Sequence, residues 1–193
     1  DVLLTAMVMR LRQLFRDDSL PFLNVQLPMW IAAGDEDKHD WARLRLAQAR
    51  AASALQPGGL AILLDCGEFD NIHPTDKRTP GERLCDVALR VVYGMDAPES
   101  PRALGKYTQG DTLVVTLSAP VLRRETGELL LEIAGEDGAY HPVQSVTLAG
   151  AEMRLRSVAV LHPAKVRYAY VNWGKVALFG RNGLPLAPFA LEG

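Results

Sequence analysis

Apolar positions recur along the first half of the chain at helical spacing and along the second half at a spacing of two. Leu3, Leu4, Met7, Leu11, Leu14 and Phe15 fall on one stripe of a helix, with Arg10, Arg12 and Arg16 largely off it. "PFLNVQLP" predicts a short strand from about Phe22 to Leu27, closed by Pro28. "MWIAAGDEDKH" is too polar and irregular for either element and reads as a surface loop. "DWARLRLAQARAASALQ" predicts a second helix with Asp40 as its N-cap and an apolar side of Trp41, Leu44, Ala47, Ala51 and Leu55. After "PGG", the continuous run "LAILLD" predicts a strand covered on both faces, as in a parallel sheet between helices. Thr79 and Pro80 then open a third helix, as cap and first helical residue, which ends at Gly94.

Alternation of helix and strand from residue 1 to 97 predicts an α/β doubly wound layer. "MDAPESP" is a linker, and from residue 98 to 193 the grammar is that of a β-sandwich. "DTLVVTLS", "ELLLEIAG", "SVTLA", "EMRLRSVAV" and "KVRYAYVN" are its expected strands. The chain has 193 residues and a net charge of −2, so nothing in it attracts a polyanion, and nucleic acid is not an expected partner. No apolar run approaches the ~20 residues that span a bilayer. The opening residues are already helical in pattern, which leads to the expectation of a fragment or a processed chain. Two cysteines, Cys66 and Cys85, are too few for a disulfide framework, and burial is the expected state of both.

"GEFDNIHPTDKRTPGERL" carries the candidate chemistry. It leaves the carboxyl end of the "LAILLD" strand, where ligands bind in open α/β sheets. Pro74 keeps His73 out of the following helix. Asp70, three residues earlier in a turn, is placed to fold its carboxylate toward one imidazole nitrogen, leaving the other to take a proton from a hydroxyl nucleophile. An Asp three residues before a His is weak on its own, and a polar loop with a structural histidine is the reading it competes with.

The surroundings change that balance. "DNIHPTDKRTPGERL" resembles the strand-end loop of the sialate O-acetylesterase family, a branch of the SGNH hydrolases. In that family Asp-Ile-His-Pro precedes a polar stretch and a helix opening Gly-x-Arg-Leu. The departure is an extra Asn between Asp70 and Ile72. "LPFLNVQLP", "WARLRLAQ", "IAGEDGAYHPV" and "VRYAYVNWGKVALFGRNGLPLAPF" resemble further family segments, in order. The resemblance implies a serine esterase that removes O-acetyl groups from a sugar such as sialic acid or an acetylated polysaccharide. It gives His73 as base and Asp70 as orienter, with no metal and no cofactor. It also implies a nucleophile in a Gly-Gln-Ser-Asn block and an oxyanion site in a Gln-Gly-Glu-Ser-Asn block, and neither block occurs in this chain. Ser19, Ser53, Ser100, Ser118, Ser145 and Ser157 lack the required neighbours. The chain is therefore expected to be the C-terminal part of such an enzyme, with the serine on an upstream segment. A secreted, periplasmic or lysosomal setting follows from resemblance alone.

Other residues carry weaker signals. His39 with Asp35, Asp37 and Asp40 is a conceivable metal site, but a solvated loop is the better reading. His141 and His162 each precede a proline and read as turn residues. Arg43 and Gln48 match the family helix, as braces of the active-site loop or as surface groups. Among Trp30, Trp41 and Trp173, Trp41 is expected in the core and Trp30 is the candidate for lining the substrate cleft. The competing function class is a non-catalytic carbohydrate-binding or interaction module built on the β half; a purely structural subunit is a third.

Overall fold

The computed structural model describes residues 1–192 and divides the chain into two compact units, Asp1–Glu99 and Ser100–Gly193. The first unit contains α1 (Val2–Phe15), β1 (Phe22–Val25), α2 (Asp40–Ala54), β2 (Gly58–Ala61) and α3 (Arg78–Val91). Strands β1 and β2 pair in parallel, with Phe22 opposite Gly58 and Val25 opposite Ala61. Helices α2 and α3 both pack on this pair, and α1 packs on α2. The small core under α1 joins Val8, Ala51 and Leu55, with Leu4 and Phe22 against it. Gly59 lets α3 lie flat on β2, because a Cβ there would sit 2.3 Å from a methyl of Val87.

The expected strand through Asp65 stops at Ala61. Its last rung is the Gln26 N–H donating to Ala61 O at 2.9 Å. The next residue after β1 that would face β2 is Pro28, which has no N–H to donate, so the ladder ends there. The outer edge of β1 is closed by the Gln48 side chain, which takes the Leu27 N–H at 2.9 Å. Ile62, Leu63 and Leu64 remain buried as extended core outside any strand, which is why the run read as one. Two helix starts also differ from expectation. Asp40 is the first residue of α2, and the cap position is His39 in the left-handed region, at φ 61°. Helix α3 begins at Arg78, two residues before Pro80, because the Asp76 carboxylate accepts from the N–H groups of Arg78 and Thr79 and satisfies its first turn.

Arg12 holds the amino-terminal end of this layer together. It is 5% exposed, and its guanidinium donates to Leu20 O, Leu55 O and Pro57 O at 3.0–3.3 Å. It thus closes both turns that lead into the strands. The rest of α1 is less well covered. Of the predicted stripe, Leu4 and Leu11 are partly covered, whereas Leu3, Met7, Leu14 and Phe15 are exposed, Leu3 to 86% and Phe15 to 68%.

The second unit is antiparallel throughout its named sheets. One sheet has the order β3 (Ala103–Gln109), β4 (Thr112–Leu117), β9 (Glu152–Arg156), β8 (Ser145–Ala149). Another has the order β12 (Phe189–Leu191), β10 (Lys165–Tyr168), β6 (Leu131–Ala134), β7 (His141–Pro142), and a pair joins β5 (Val121–Arg123) to β11 (Leu178–Gly180). Period two is clean in β9, where Met153 and Leu155 are buried and Arg156 is exposed. It fails in β4, whose Leu113, Val114 and Val115 are all buried. β4 lies between β3 and β9, a central strand with both faces covered.

Arg12→Met retains the apolar stem but leaves three carbonyls without their charged donor. The expected loss is about 2–3 kcal/mol of unfolding free energy by urea titration. A loss under ~0.5 kcal/mol, ordinary for a surface change, contradicts this role.

Candidate active site

Two loops follow the carboxyl ends of β1 and β2: residues 26–39 and residues 62–77. The first is shaped from beneath by α2. Gln48 spans the end of β1, donating to Val25 O at 3.1 Å while accepting from Leu27 N–H. The Trp41 indole N–H donates to Pro28 O at 2.6 Å. Arg45 is fully buried, with Nη1 3.5 Å from Pro28 O. Burial pushes its pKa down to about 10, against the opposing pull of Asp37. Sequence reasoning singled out Arg43 on this helix. Arg43 is an exposed partner of Asp40, and the buried brace is Arg45, two residues on. The signal was available: Arg45 falls on the same helical side as Trp41 and Gln48.

The second loop is pressed onto the first. A Cβ on Gly67 would lie 1.9 Å from Met29 O, so only glycine permits the two backbones to approach this closely. Met29 is itself buried. Asp70 then ties the loops twice: its N–H donates to Ile31 O at 3.1 Å, and its Oδ1 accepts from Ala33 N–H at 2.8 Å. Asp70 adopts φ 59°, the left-handed region that Asp tolerates better than most residues. The base of the loop is fixed by Arg83 of α3, which pairs with Asp65 through both Nη atoms at 2.6 and 2.8 Å and donates to Ile62 O. Arg83 stands in the Gly-x-Arg-Leu segment, but sequence gave it no role.

His73 stands exposed beyond this framework, with its N–H donating to Asn71 Oδ1 at 3.0 Å. The expected hydrogen bond from its imidazole to Asp70 is not formed. One Asp70 oxygen is occupied by Ala33, and the other carries no hydrogen bond among the described residues. Glu68, which sequence reasoning passed over, gathers the segment around His73. Its Oε1 accepts from the Thr75 N–H and hydroxyl, and its Oε2 from the Asn71 side chain, all at 2.6 Å.

Trp30 sits in the first loop, half-buried, its ring 5.2 Å from that of Trp41 at an interplanar angle of 54°. Trp41 is likewise half-buried, and Trp173 belongs to the second unit. His39 contacts the Asp37 carboxylate at 3.3 Å. Among the described residues no three His, Cys, Asp or Glu side chains gather as a metal ion needs. Cys66 is half-buried beside Asp65, and burial pushes its thiol up to about 12; Cys85, expected in the core, is exposed on α3. In the second unit His141 lies in β7 and His162 in an exposed loop, and both line an open cleft of about 370 Å³ with the 135–137 turn. No helix among the described residues is long and apolar enough to cross a membrane.

No family model and no curated protein matches the chain. Among solved structures it is similar to a carbohydrate acetylesterase from Xanthomonas citri, with 32% sequence identity and a TM-score of 0.87. The likeness covers 97% of this chain and 45% of that one, so the chain spans less than half the length of the protein it matches.

Gly67→Ala forces the loops apart and is expected to lower stability by about 1–3 kcal/mol, with a change in the emission of the adjacent Trp30–Trp41 pair. An unchanged unfolding midpoint and spectrum contradict the close approach. Hydrogen bonds from the Thr75 hydroxyl, the Thr75 N–H and Asn71 hold the Glu68 carboxyl below the usual carboxylate range. Its folded pKa is depressed, so its hold on the loop is complete above the ordinary glutamate value of about 4.3 and is lost as pH falls through the folded value. The Thr75 amide proton resonance is therefore expected to stay constant down to that range and to move only below it. Movement centred on the ordinary value contradicts the clasp.

Proposed function

We propose that this chain is the C-terminal part of a serine carbohydrate O-acetylesterase of the SGNH type, related to the sialate O-acetylesterases. It supplies His73 and Asp70 to a triad whose serine comes from an upstream segment of the same protein. The observation that carries this reading is the placement of His73 on a loop tied by hydrogen bonds at the carboxyl end of a parallel strand, in a chain that resembles a carbohydrate acetylesterase over nearly its whole length.

In the mechanism, His73 takes the proton of the upstream serine as that oxygen attacks the acetyl carbonyl, then returns it to the leaving sugar hydroxyl. Water attacks the acetyl-enzyme by the same route in reverse, releasing acetate. Asp70 has one oxygen committed to Ala33 and one open, and rotation of the imidazole onto that open oxygen lets Asp70 orient His73 while anchored itself. Trp30, on the loop Asp70 is tied to, offers a flat apolar face toward which a pyranose ring can pack. Upstream donors hold the oxyanion. The substrate is an O-acetylated sugar, sialic acid or a polysaccharide unit.

The upstream partner is supported by what the first unit leaves uncovered. A two-stranded parallel sheet is short of the usual five or six strands, and Leu3, Met7, Leu14 and Phe15 present an apolar stripe to solvent. We read these as surfaces that the remainder of a doubly wound domain covers. The antiparallel unit is then an accessory β-sandwich. The competing reading, a carbohydrate-binding module, places the weight on that unit instead.

His73→Ala, in the protein expressed from its complete gene, is expected to reduce acetate release from an O-acetylated sugar by roughly 10³-fold or more without altering the fold by circular dichroism. Turnover within a factor of about two of the parent removes His73 from the reaction and favours the binding module.

A further inference from the structure

The turn that carries His73 is organised around a carboxylate that takes no part in the proposed chemistry. Glu68 reaches both flanks of the histidine. On one side its Oε2 accepts from the Asn71 carboxamide nitrogen, and the oxygen of that same carboxamide accepts the His73 N–H. On the other side its Oε1 accepts both the N–H and the hydroxyl of Thr75. A backbone bridge between Glu68 and Asn71 closes the turn that immediately precedes the histidine. Pro74 fixes φ between the two clamped positions. The segment that carries His73 is therefore tied at residues 71 and 75 to one charged group.

The clasp also has a rigid foundation. Glu68 follows Gly67, whose backbone is locked against Met29, and precedes Asp70, which is bonded to the other loop at two points. Hydrogen bonds to an ionised acceptor are shorter and roughly twice as strong as neutral ones, and these three are all 2.6 Å. A loop this exposed, with His73 and Ile72 both open to solvent, has no buried core to set its shape. Its polar contacts do that work.

We propose that Glu68 is the positioning residue of the catalytic histidine, setting the place of the His73 backbone through Asn71 and Thr75 while Asp70 sets the imidazole. This rests on the assignment of His73 as the base. Glu68 touches neither substrate nor imidazole, so its removal acts on the rate of the proton-transfer steps and leaves sugar binding intact. A displacement of about 1 Å in a catalytic group costs on the order of 10²-fold.

The test is a set of variants in the protein expressed from its complete gene: His73→Ala, Glu68→Ala, Glu68→Gln and Thr75→Val. Acetate release and the imidazole ¹H–¹³C resonances of His73 are followed in each. Glu68→Ala is expected to lower kcat by about 10²-fold with KM within about twofold, and to broaden or split the His73 resonances. Glu68→Gln retains the acceptor toward Thr75 but sets an amide NH2 against that of Asn71, so it falls between Glu68→Ala and the parent. Thr75→Val removes one bond of three and has the smallest effect. If Glu68→Ala fails to fold, the order of the two milder variants decides, and parental kcat in both overturns the proposal. Parental kcat in Glu68→Ala beside an inactive His73→Ala overturns the role of Glu68 alone. Full turnover by His73→Ala overturns the esterase assignment, and the role of Glu68 with it.

Discussion

The contact between Gly67 and the backbone of Met29 is the constraint on which the candidate site depends. Two loops that leave adjacent parallel strands would ordinarily diverge, since each is free to follow its own path over the surface. Here the missing side chain at Gly67 lets one loop lie directly on the other, and Asp70 then bonds to Ile31 and Ala33 across the join. Once that join is made, every other feature has a place to stand. Trp30 is fixed on one side of it, and Glu68 and His73 on the other. Helix α2 reinforces the first loop through Gln48, Trp41 and the buried guanidinium of Arg45, and α3 reinforces the second through Arg83 and Asp65. The energetic weight lies in polar contacts made at closed distances, because this end of the unit has little apolar burial of its own to offer beyond Met29 and residues 62–64.

The same arrangement explains which parts of the molecule could be read from the chain beforehand. The helices of the first unit and the strands Glu152–Arg156 and Ser145–Ala149 follow from local period and punctuation, and the structure has them close to where the pattern puts them. The end of β2 could not be read. Ile62 to Leu64 are as apolar as a strand, and what stops the strand is the reach of its neighbour, which at Pro28 has no N–H left to continue the ladder. The start of α3 was misplaced for another reason: Thr79-Pro80 is a strong local signal, but the Asp76 carboxylate, three residues before Thr79, satisfies the N–H groups of a helix that starts at Arg78, two residues before Pro80. Burial in α2 separated Arg45 from Arg43, which carry the same charge and stand two positions apart, a distinction that composition cannot make.

At the candidate site, the loop and His73 were singled out from the chain, but the way the loop is held was not. Asp70 was expected to face His73, and its carboxylate is engaged first with Ala33, a residue of the other loop that no local reading would pair with it. Glu68 was invisible because its partners, Asn71 and Thr75, are ordinary loop residues whose roles exist only once the turn is closed. The apolar stripe of α1 was legible as a stripe. Its exposure at Leu3, Met7, Leu14 and Phe15 was not.

The central claim is that His73 activates a serine that these 193 residues do not carry. The most direct measurement is covalent trapping of the protein expressed from its complete gene with a fluorophosphonate, followed by peptide mass mapping of the modified residue. The account predicts a single modified serine, N-terminal to the segment described here, and a labelling rate that falls by orders of magnitude in His73→Ala. Modification of Ser19, Ser53, Ser100, Ser118, Ser145 or Ser157, or an unchanged labelling rate in His73→Ala, would contradict it.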